Sequence, residues 1–267
     1  MSAQSIEKVG PLSIVVVDVG NTKIALARWV EGNVHDVRRL PLADRDGVLA
    51  ALEEVRGLCE NTVRQAIVIG SVVPETTAWL CEYIENTLDL RPFVIGDNTP
   101  LPVEVAVSEP SAVGVDRVCS AAAAFVRTGH ACTVVSVGSA VTIDVIDDDG
   151  VFRGGAIFPG LQLQAQSLAD HTAALPYVEP AVPASAIGAD TQTAIQSGVC
   201  FGLVGAIRNI VEHIATEGNR WPQVVVTGGG SVLLQDQLDF ADSMVPDLCL
   251  MGIGLAYMKR IEEMSRG

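Results

Sequence analysis

The sequence predicts an α/β protein built from two tandem copies of one layered unit, residues 1–112 and 113–267, with a ligand cleft between them. Three observations lead there. Short β-branched runs alternate with segments of helical periodicity, the pattern of sheets layered with helices. Two of those runs end in the same way: Ser13 to Val17 leads into Asp18-Val19-Gly20-Asn21-Thr22, and Ala131 to Val135 leads into Ser136-Val137-Gly138-Ser139-Ala140-Val141-Thr142. An offset of 118 residues superposes Asp18 on Ser136, so the halves read as copies. A polar loop at the end of a core strand is suited to nucleotide phosphates, because Gly20 lets the backbone approach closely and Asn21 and Thr22 add donors. Asp18 is placed to hold a magnesium ion at one remove. Each stretch by itself is equally the sequence of a plain turn; the repetition argues for a clamp on a nucleotide.

Composition narrows the class. With 267 residues, 49% of them hydrophobic, the chain buries cores of ordinary size for two domains. Its net charge of −15 and pI near 4.5 set it against nucleic acid. Cys59, Cys81, Cys119, Cys132, Cys200 and Cys249 are scattered among apolar neighbours without a Cys-x-x-Cys pair, and read as core residues of a reducing compartment. His35, His130, His171 and His213 lack ligand spacing. The first apolar run stops at Asp18, too early for a secretion signal, and no stretch reads as a membrane span, so the expected location is the cytoplasm.

In order along the chain, residues 1 to 12 read as a loose leader. Lys23 to Val30 resumes as a strand, turns at Glu31-Gly32-Asn33, and returns towards Leu40, opening an antiparallel meander. Asp44 to Leu58 has apolar residues at helical spacing, Gln65 to Val73 is strand-like, and Glu75 to Leu88 is a helix just after Pro74. Pro92 to Ile95 offers a strand, and Pro100, Pro102 and Pro110 mark a connector. Gly114-Val115-Asp116-Arg117 then opens an alanine-rich helix running through Val126. An acid in a helix's first turn is favoured by the amide dipoles; Asp116 is a candidate base, or a helix-start residue only.

Val141 to Ile146 and Val151 to Phe158 are strands about an Asp147-Asp148-Asp149-Gly150 turn whose acids read as a solvated tip. Gly154 to Gly160 either lines a cleft or is turn chemistry, and precedes a Gln- and Leu-rich helix. Gly188 to about Thr216 is a long apolar-faced helical segment in which Asp190-Thr191 starts the helix. Trp221 to Val226 is a strand ending in Thr227-Gly228-Gly229-Gly230-Ser231, a run that admits an adenine edge-on or serves as a flexible turn. Leu248 to Met264 closes the chain as a helix.

Assembled, these stretches resemble the type III pantothenate kinases of the actin/hexokinase/Hsp70-like phosphotransferase superfamily. The resemblance rests on Asp18 to Thr22, Gly114 to Arg117, Gly155-Ala156-Ile157-Phe158-Pro159-Gly160, Thr172-Ala173-Ala174-Leu175-Pro176, Ile187 to Thr191 with Ala194 to Gly198, and Thr227-Gly228-Gly229. It implies two ribonuclease-H-like domains, a homodimer built on the second, and transfer of the γ-phosphoryl of ATP to pantothenate, the first step of coenzyme A synthesis. Asp18 to Ala25, including Lys23, then form the first ATP-phosphate loop, Gly138 and Ser139 contact ATP from the second, and Thr227 to Gly229 complete the nucleotide site. Gly114, Val115, Asp116 and Arg117 bind pantothenate, with Asp116 as the base, and Thr191 touches the same substrate. Magnesium accompanies ATP, and the family adds potassium or ammonium.

The sequence departs from the family pattern at three places. Ser136 stands where an aspartate helps hold the monovalent cation, which removes a carboxylate charge from that site. Ser139 replaces a threonine, keeping the hydroxyl, and Val107 replaces an aromatic residue of the pantothenate pocket. Asp144, eight residues beyond Ser136, follows the family. Besides the kinase, two readings are open: an impaired homologue that binds nucleotide or ligand as a sensor, motivated by Ser136 and Val107, and a sugar or polyol kinase, against which the Gly114-to-Arg117 stretch argues.

Overall fold

The computed structural model describes residues 12–59 and 65–266; the expected leader falls almost wholly outside them. The described chain forms two compact units. The first comprises the chain up to Glu104 with Ser108–Ala123 and Asp247–Gly267, and the second comprises Val105–Val107 and Ala124–Pro246. This division differs from a single cut at 112/113 in three places: Val105–Val107 belongs to the second unit, the boundary runs inside a helix, and the C-terminal helix returns to the first unit.

In the first unit, β1 (Ser13–Val19), β2 (Lys23–Val30) and β3 (Asn33–Pro41) form the expected meander, followed by α1 (Arg45–Gly57), β4 (Ile67–Ser71), α2 (Pro74–Leu88) and β5 (Phe93–Val94). The strand order is β3-β2-β1-β4-β5, with β4 parallel to β1 and β5 parallel to β4. The sheet is covered on both faces, which is why β1 is an unbroken apolar run. Val15, Val17 and Val19 pack with Val48, Leu52 and Val55 of α1 and Leu80 and Ile84 of α2. The alternate residues Ile14 and Val16 pack on the other face with Leu250, Ile253, Ala256 and Tyr257. Asp44 caps α1 by accepting from the Gly47 amide, and Pro74 starts α2 where its missing N–H is harmless.

The helix α3 (Val115–Thr128) follows a 3₁₀ turn at Pro110–Ala112 and carries the boundary between units. The second unit contains β6 (Cys132–Val137), β7 (Ala140–Ile146), β8 (Phe152–Pro159), α4 (Leu161–His171), α5 (Thr191–Glu217), β9 (Gln223–Thr227), the short α6 (Ser231–Leu234) and β10 (Ser243–Met244). Its strand order, β8-β7-β6-β9-β10, and its pairing directions repeat those of the first sheet. Both units are thus ribonuclease-H-like. Asp18 and Ser136 are the penultimate residues of β1 and β6, so both belong to strands and not to the loops that follow.

Asp190 and Thr193 start α5 with a reciprocal capping box. By length and composition α5 is apolar enough to cross a membrane, where the sequence reading found no such stretch. Its Ile195, Val199, Leu203, Ile207 and Val211, spaced four residues apart, fill the second core instead against Val135, Val137, Val224 and Val226.

The last helix, α7 (Leu248–Arg266), packs on the first sheet through close backbone approaches. A Cβ on Gly252 would lie 1.9 Å from the Cys119 carbonyl oxygen, and one on Gly254 would lie 2.1 Å from Nε1 of Trp29. Gly70 of β4 completes the fit, because a Cβ there would meet Ile253 at 2.9 Å. Gly252→Ala is accordingly expected to lower stability by about 1–3 kcal/mol in urea unfolding. Gly205→Ala in α5, where a Cβ meets nothing within 4 Å, is expected to raise it by about 0.5–1 kcal/mol.

Candidate active site

The first unit gathers carboxylates at the carboxyl ends of its strands. β1 presents Asp18 between Ala25 of β2 and Gly70 of β4. The loop beyond it is closed by Gly20, whose amide donates to the Lys23 carbonyl at 3.0 Å, while Asn21, Thr22 and Lys23 stay exposed. Asp116 enters from the first turn of α3, where its Oδ1 accepts from the Arg117 amide at 2.9 Å. Gly114 lies close beside it: a Cβ at that position would come 2.5 Å from the same oxygen and would turn the Asp116 side chain. Gly114, Val115, Asp116 and Arg117 therefore form one tight helix entry shaped around a carboxylate.

These acids act on one another. Asp18 keeps a partial opening to solvent, yet its carboxyl is pushed from 3.8 to about 7, first by burial and then by the Asp116 carboxylate, with Asp247 adding to the rise. A thiol hydrogen bond from Cys249 and the Arg39 guanidinium oppose it. Arg39 itself pairs with Asp247, which has left-handed backbone (φ 66°) just before α7. Burial also raises Asp116, offset by the amide and guanidinium of Arg117. Two neighbouring carboxyls, each disfavoured as an anion, have the hard oxygen donors that would suit a divalent cation. Among the described residues no group of three or more His, Cys, Asp or Glu side chains is arranged to hold a metal alone.

The second unit offers backbone instead of charge. Gly138 and Ser139 form the exposed turn between β6 and β7, and the Ser139 carbonyl accepts from Gly160 at 2.9 Å. A Cβ on Gly160 would lie 2.1 Å from the Gly138 carbonyl oxygen, so the start of α4 touches this turn through backbone alone. Thr227 ends β9 buried, Gly228 turns with φ 92°, and a Cβ there would sit 2.4 Å from the Val137 carbonyl oxygen. Gly230 donates to that oxygen at 2.9 Å, while Gly229 has open space beside it. Glycines from three loops thus surround the end of β6, where Ser136 pairs with Thr142 and Thr227. Asp144 lies one strand away in β7, fully buried.

Elsewhere in this unit, Thr191 opens α5 and lines a groove of about 850 Å³ with Leu163, Leu168, His171, Leu175 and Ile195. Val107 belongs to a strap paired with β8, where Val105 bridges Phe152 and Ala106 donates to its carbonyl at 2.9 Å. Its Cγ1 would lie 3.3 Å from a Cβ on Gly154.

The model of the family described as type III pantothenate kinase matches residues 14–213. The chain belongs to the type III pantothenate kinase family. Relatives of that name from two strains of Dehalococcoides mccartyi are 35% and 34% identical, each covering 91% of this chain, which spans 96% and 95% of theirs. Among solved structures, a Campylobacter jejuni protein assigned to the Baf family of transcriptional activators aligns at TM-score 0.60 and 19% identity, over 93% of this chain and 99% of its own. The activator of 2-hydroxyisocaproyl-CoA dehydratase from Clostridium difficile, with bound ADPNP, aligns at 0.53 and 12% identity, over 96% and 98%. At these identities the two structures speak to the fold.

For this type III pantothenate kinase family member, the structure brings together Asp18, the Gly20-to-Lys23 loop and the Gly114-to-Arg117 helix entry within the first unit. Ser136, Gly138, Ser139 and Thr227 to Gly229 come together within the second, whereas Thr191 and Val107 stand on separate elements of it. Sequence reading missed Arg39, Asp247 and Cys249, whose groups act on Asp18, and Cys119, whose thiol Asp18 and Asp116 push up. The available signal was Gly252-Ile253-Gly254, small residues inside a helix that mark a close approach.

The raised Asp18 pKa has a definite sign in stability. An acid whose folded pKa exceeds its unfolded value contributes stability that is complete below the unfolded value, 3.8, and is lost as pH rises through about 7. Relative to the ligand-free wild type, Asp18→Asn is expected to become more stable between pH 4 and 8 by a few kcal/mol. A difference in unfolding free energy that is flat with pH would show that Asp18 is not perturbed.

Proposed function

We propose that this chain transfers the γ-phosphoryl group of ATP to the primary hydroxyl of pantothenate, giving 4′-phosphopantothenate for coenzyme A synthesis. The observation that carries the reading is Asp116, held in the first turn of α3 by the Arg117 amide and electrostatically coupled to Asp18, in a chain of this family. Phosphoryl transfer asks a protein for alignment, charge stabilisation and a carboxylate at the attacking oxygen. Asp116 takes the proton as the hydroxyl oxygen bonds to the γ-phosphorus and the bond to ADP breaks. Burial, by raising its pKa, makes it a better proton acceptor than an exposed aspartate.

Gly20, Asn21, Thr22 and Lys23 bind phosphate oxygens in the first unit, with exposed donors and the Lys23 charge. Gly138 and Ser139 offer amides and a hydroxyl in the second, and Thr227, Gly228 and Gly229 take the nucleotide's flat base beside the open side of Gly229. Gly114, Val115, Asp116 and Arg117 hold pantothenate, and Val107 and Thr191 contribute to its recognition. Magnesium would be held at Asp18, where it would spread the phosphate charge, leaving Asp116 to take the proton. At Ser136 a neutral hydroxyl replaces the carboxylate that suits potassium or ammonium, so this chain depends weakly on a monovalent cation.

The exposed apolar groove between α4 and α5, with Ile157, Leu163 and Ile187 also exposed nearby in sequence, supports a homodimer through the second unit. The acidic charge and the burial of one stripe of α5 favour a cytoplasmic enzyme that binds neither nucleic acid nor membrane.

The test is ATP-dependent phosphorylation of pantothenate by the purified protein with magnesium, in potassium, ammonium and sodium salts. Activity with little salt preference is expected. Asp116→Asn is expected to lower kcat by about 10²- to 10⁴-fold while nucleotide affinity, followed by calorimetry, stays nearly unchanged. Ser136→Asp is expected to introduce stimulation by potassium. An inactive wild type rescued by Ser136→Asp would identify a binding homologue instead.

A further inference from the structure

The sheet of the first unit places a second cation beside its phosphate loop. Asp18 of β1 stands opposite Ala25 of β2, and Ala25 stands opposite Arg39 of β3. Residues directly opposite in antiparallel strands project from one face, so Arg39 shares the face of Asp18. Lys23, two residues before Ala25, lies on that face too and is the diagonal neighbour of Arg39, at about 7–8 Å by sheet geometry. The end of β3 is also tied to the loop itself, because the Leu42 amide donates to the Thr22 carbonyl at 3.0 Å. Alternation along β3 sends Arg38 to the opposite face, where it pairs with Glu54 of α1.

Arg39 is held by one contact. Its Nη2 donates to Oδ1 of Asp247, the residue before α7. The Asp247 side chain is 15% exposed and that of Arg39 is 50% exposed. A carboxylate so covered does not readily give up its cation, so the pair fixes the direction of the guanidinium. Among the described residues Asp247 is the only acceptor bonded to Arg39, which leaves the donors on Nε and Nη1 for another partner. An arginine with a free, oriented edge is matched to the oxygens of a phosphate. At a net charge of −15 the chain as a whole repels a triphosphate, so local cations must supply the attraction.

We propose that Arg39 is a further phosphate-binding residue of the ATP site, oriented by Asp247 and donating its free edge to the terminal phosphates. This rests on the reading of the Gly20-to-Lys23 loop as a phosphate loop. The terminal phosphates are the ones concerned because Arg39 shares the row of Asp18, which is coupled to the proposed base Asp116, and the reacting end of the triphosphate lies there.

Calorimetric affinities for ATP with magnesium and for AMP test the proposal without requiring turnover. Arg39→Ala is expected to weaken ATP about tenfold, the loss of a charged hydrogen bond at a half-exposed position, and AMP by less than about twofold. Arg39→Lys keeps the charge without the planar fork and is expected to fall between wild type and the alanine variant. Arg38→Ala, on the opposite face of β3, is the control and leaves both affinities unchanged. An Arg39→Ala protein that binds ATP as tightly as wild type overturns the proposal. Equal weakening of ATP and AMP also overturns it, since that is the mark of a merely structural role. Should Arg39→Ala unfold because Asp247 is left unpaired, Arg39→Ala combined with Asp247→Asn is compared with Asp247→Asn alone, and the same selective loss of about tenfold is expected. Asparagine tolerates the left-handed backbone at residue 247. A protein that shows the selective loss yet transfers nothing to pantothenate would sink the kinase reading and leave the Arg39 assignment standing. One that phosphorylates pantothenate while Arg39→Ala binds ATP normally does the reverse, and a wild type that binds no ATP ends both.

Discussion

The first unit depends on a backbone-to-backbone contact, Gly252 of α7 against the carbonyl of Cys119 in α3. Two helices meet there without side chains between them, above a sheet whose central strand carries Asp18 one residue before its end. The contact fixes where the entry of α3 delivers Asp116 and where the entry of α7 delivers Cys249 and Asp247. Larger residues at Gly252, Gly254 or Gly70 would lift the helix, and the carboxylates would relax apart into solvent. Packing of this density therefore produces the electrostatics: the acids repel because the helices are held close.

The two units reach related ends by different chemistry. In the first, the end of β1 carries a perturbed carboxylate, a lysine-bearing loop and a helix entry shaped around a second acid. In the second, the matching end of β6 carries a serine, and the surrounding turns approach one another through Gly138, Gly160, Gly228 and Gly230. Amides provide donors there without net charge. The common strand order makes the comparison residue by residue, since Asp18 and Ser136 each precede the last residue of the central strand. The duplicated scaffold thus carries an acid at this position in one copy and a serine in the other.

Much of this could be read from the chain because local rules and global fold agree. β1 shows as a β-branched run because both its faces are buried, and α1 and α2 show their caps in Asp44 and Pro74. The 118-residue offset is visible because the loops after β1 and β6 recur in similar chemistry. Asp18 and Asp116 were legible as a strand end and a helix start. Their coupling was not, because it depends on α3 and α7 packing across one sheet, a relation over long sequence distance with no local pattern. Cys249 looked like one more buried cysteine for the same reason: its neighbours in sequence are apolar, and Asp18, whose pKa it lowers, lies 231 residues earlier. The membrane-like length of α5 escaped notice because Arg208, Glu212 and His213 interrupt its apolar character on the face turned from the core. β10, two residues long, lies below what alternation can reveal.

The return of the last helix to the first unit has a consequence for biogenesis. Until residues 248–266 leave the ribosome, Ile14, Val16, Ala27, Trp29 and Val68 have no α7 to cover their side of the sheet. The second unit, though it follows in the chain, is complete in sequence by Pro246 and can close first. The nascent protein thus carries an open apolar sheet face through nearly all of its synthesis, a natural resting place for a chaperone.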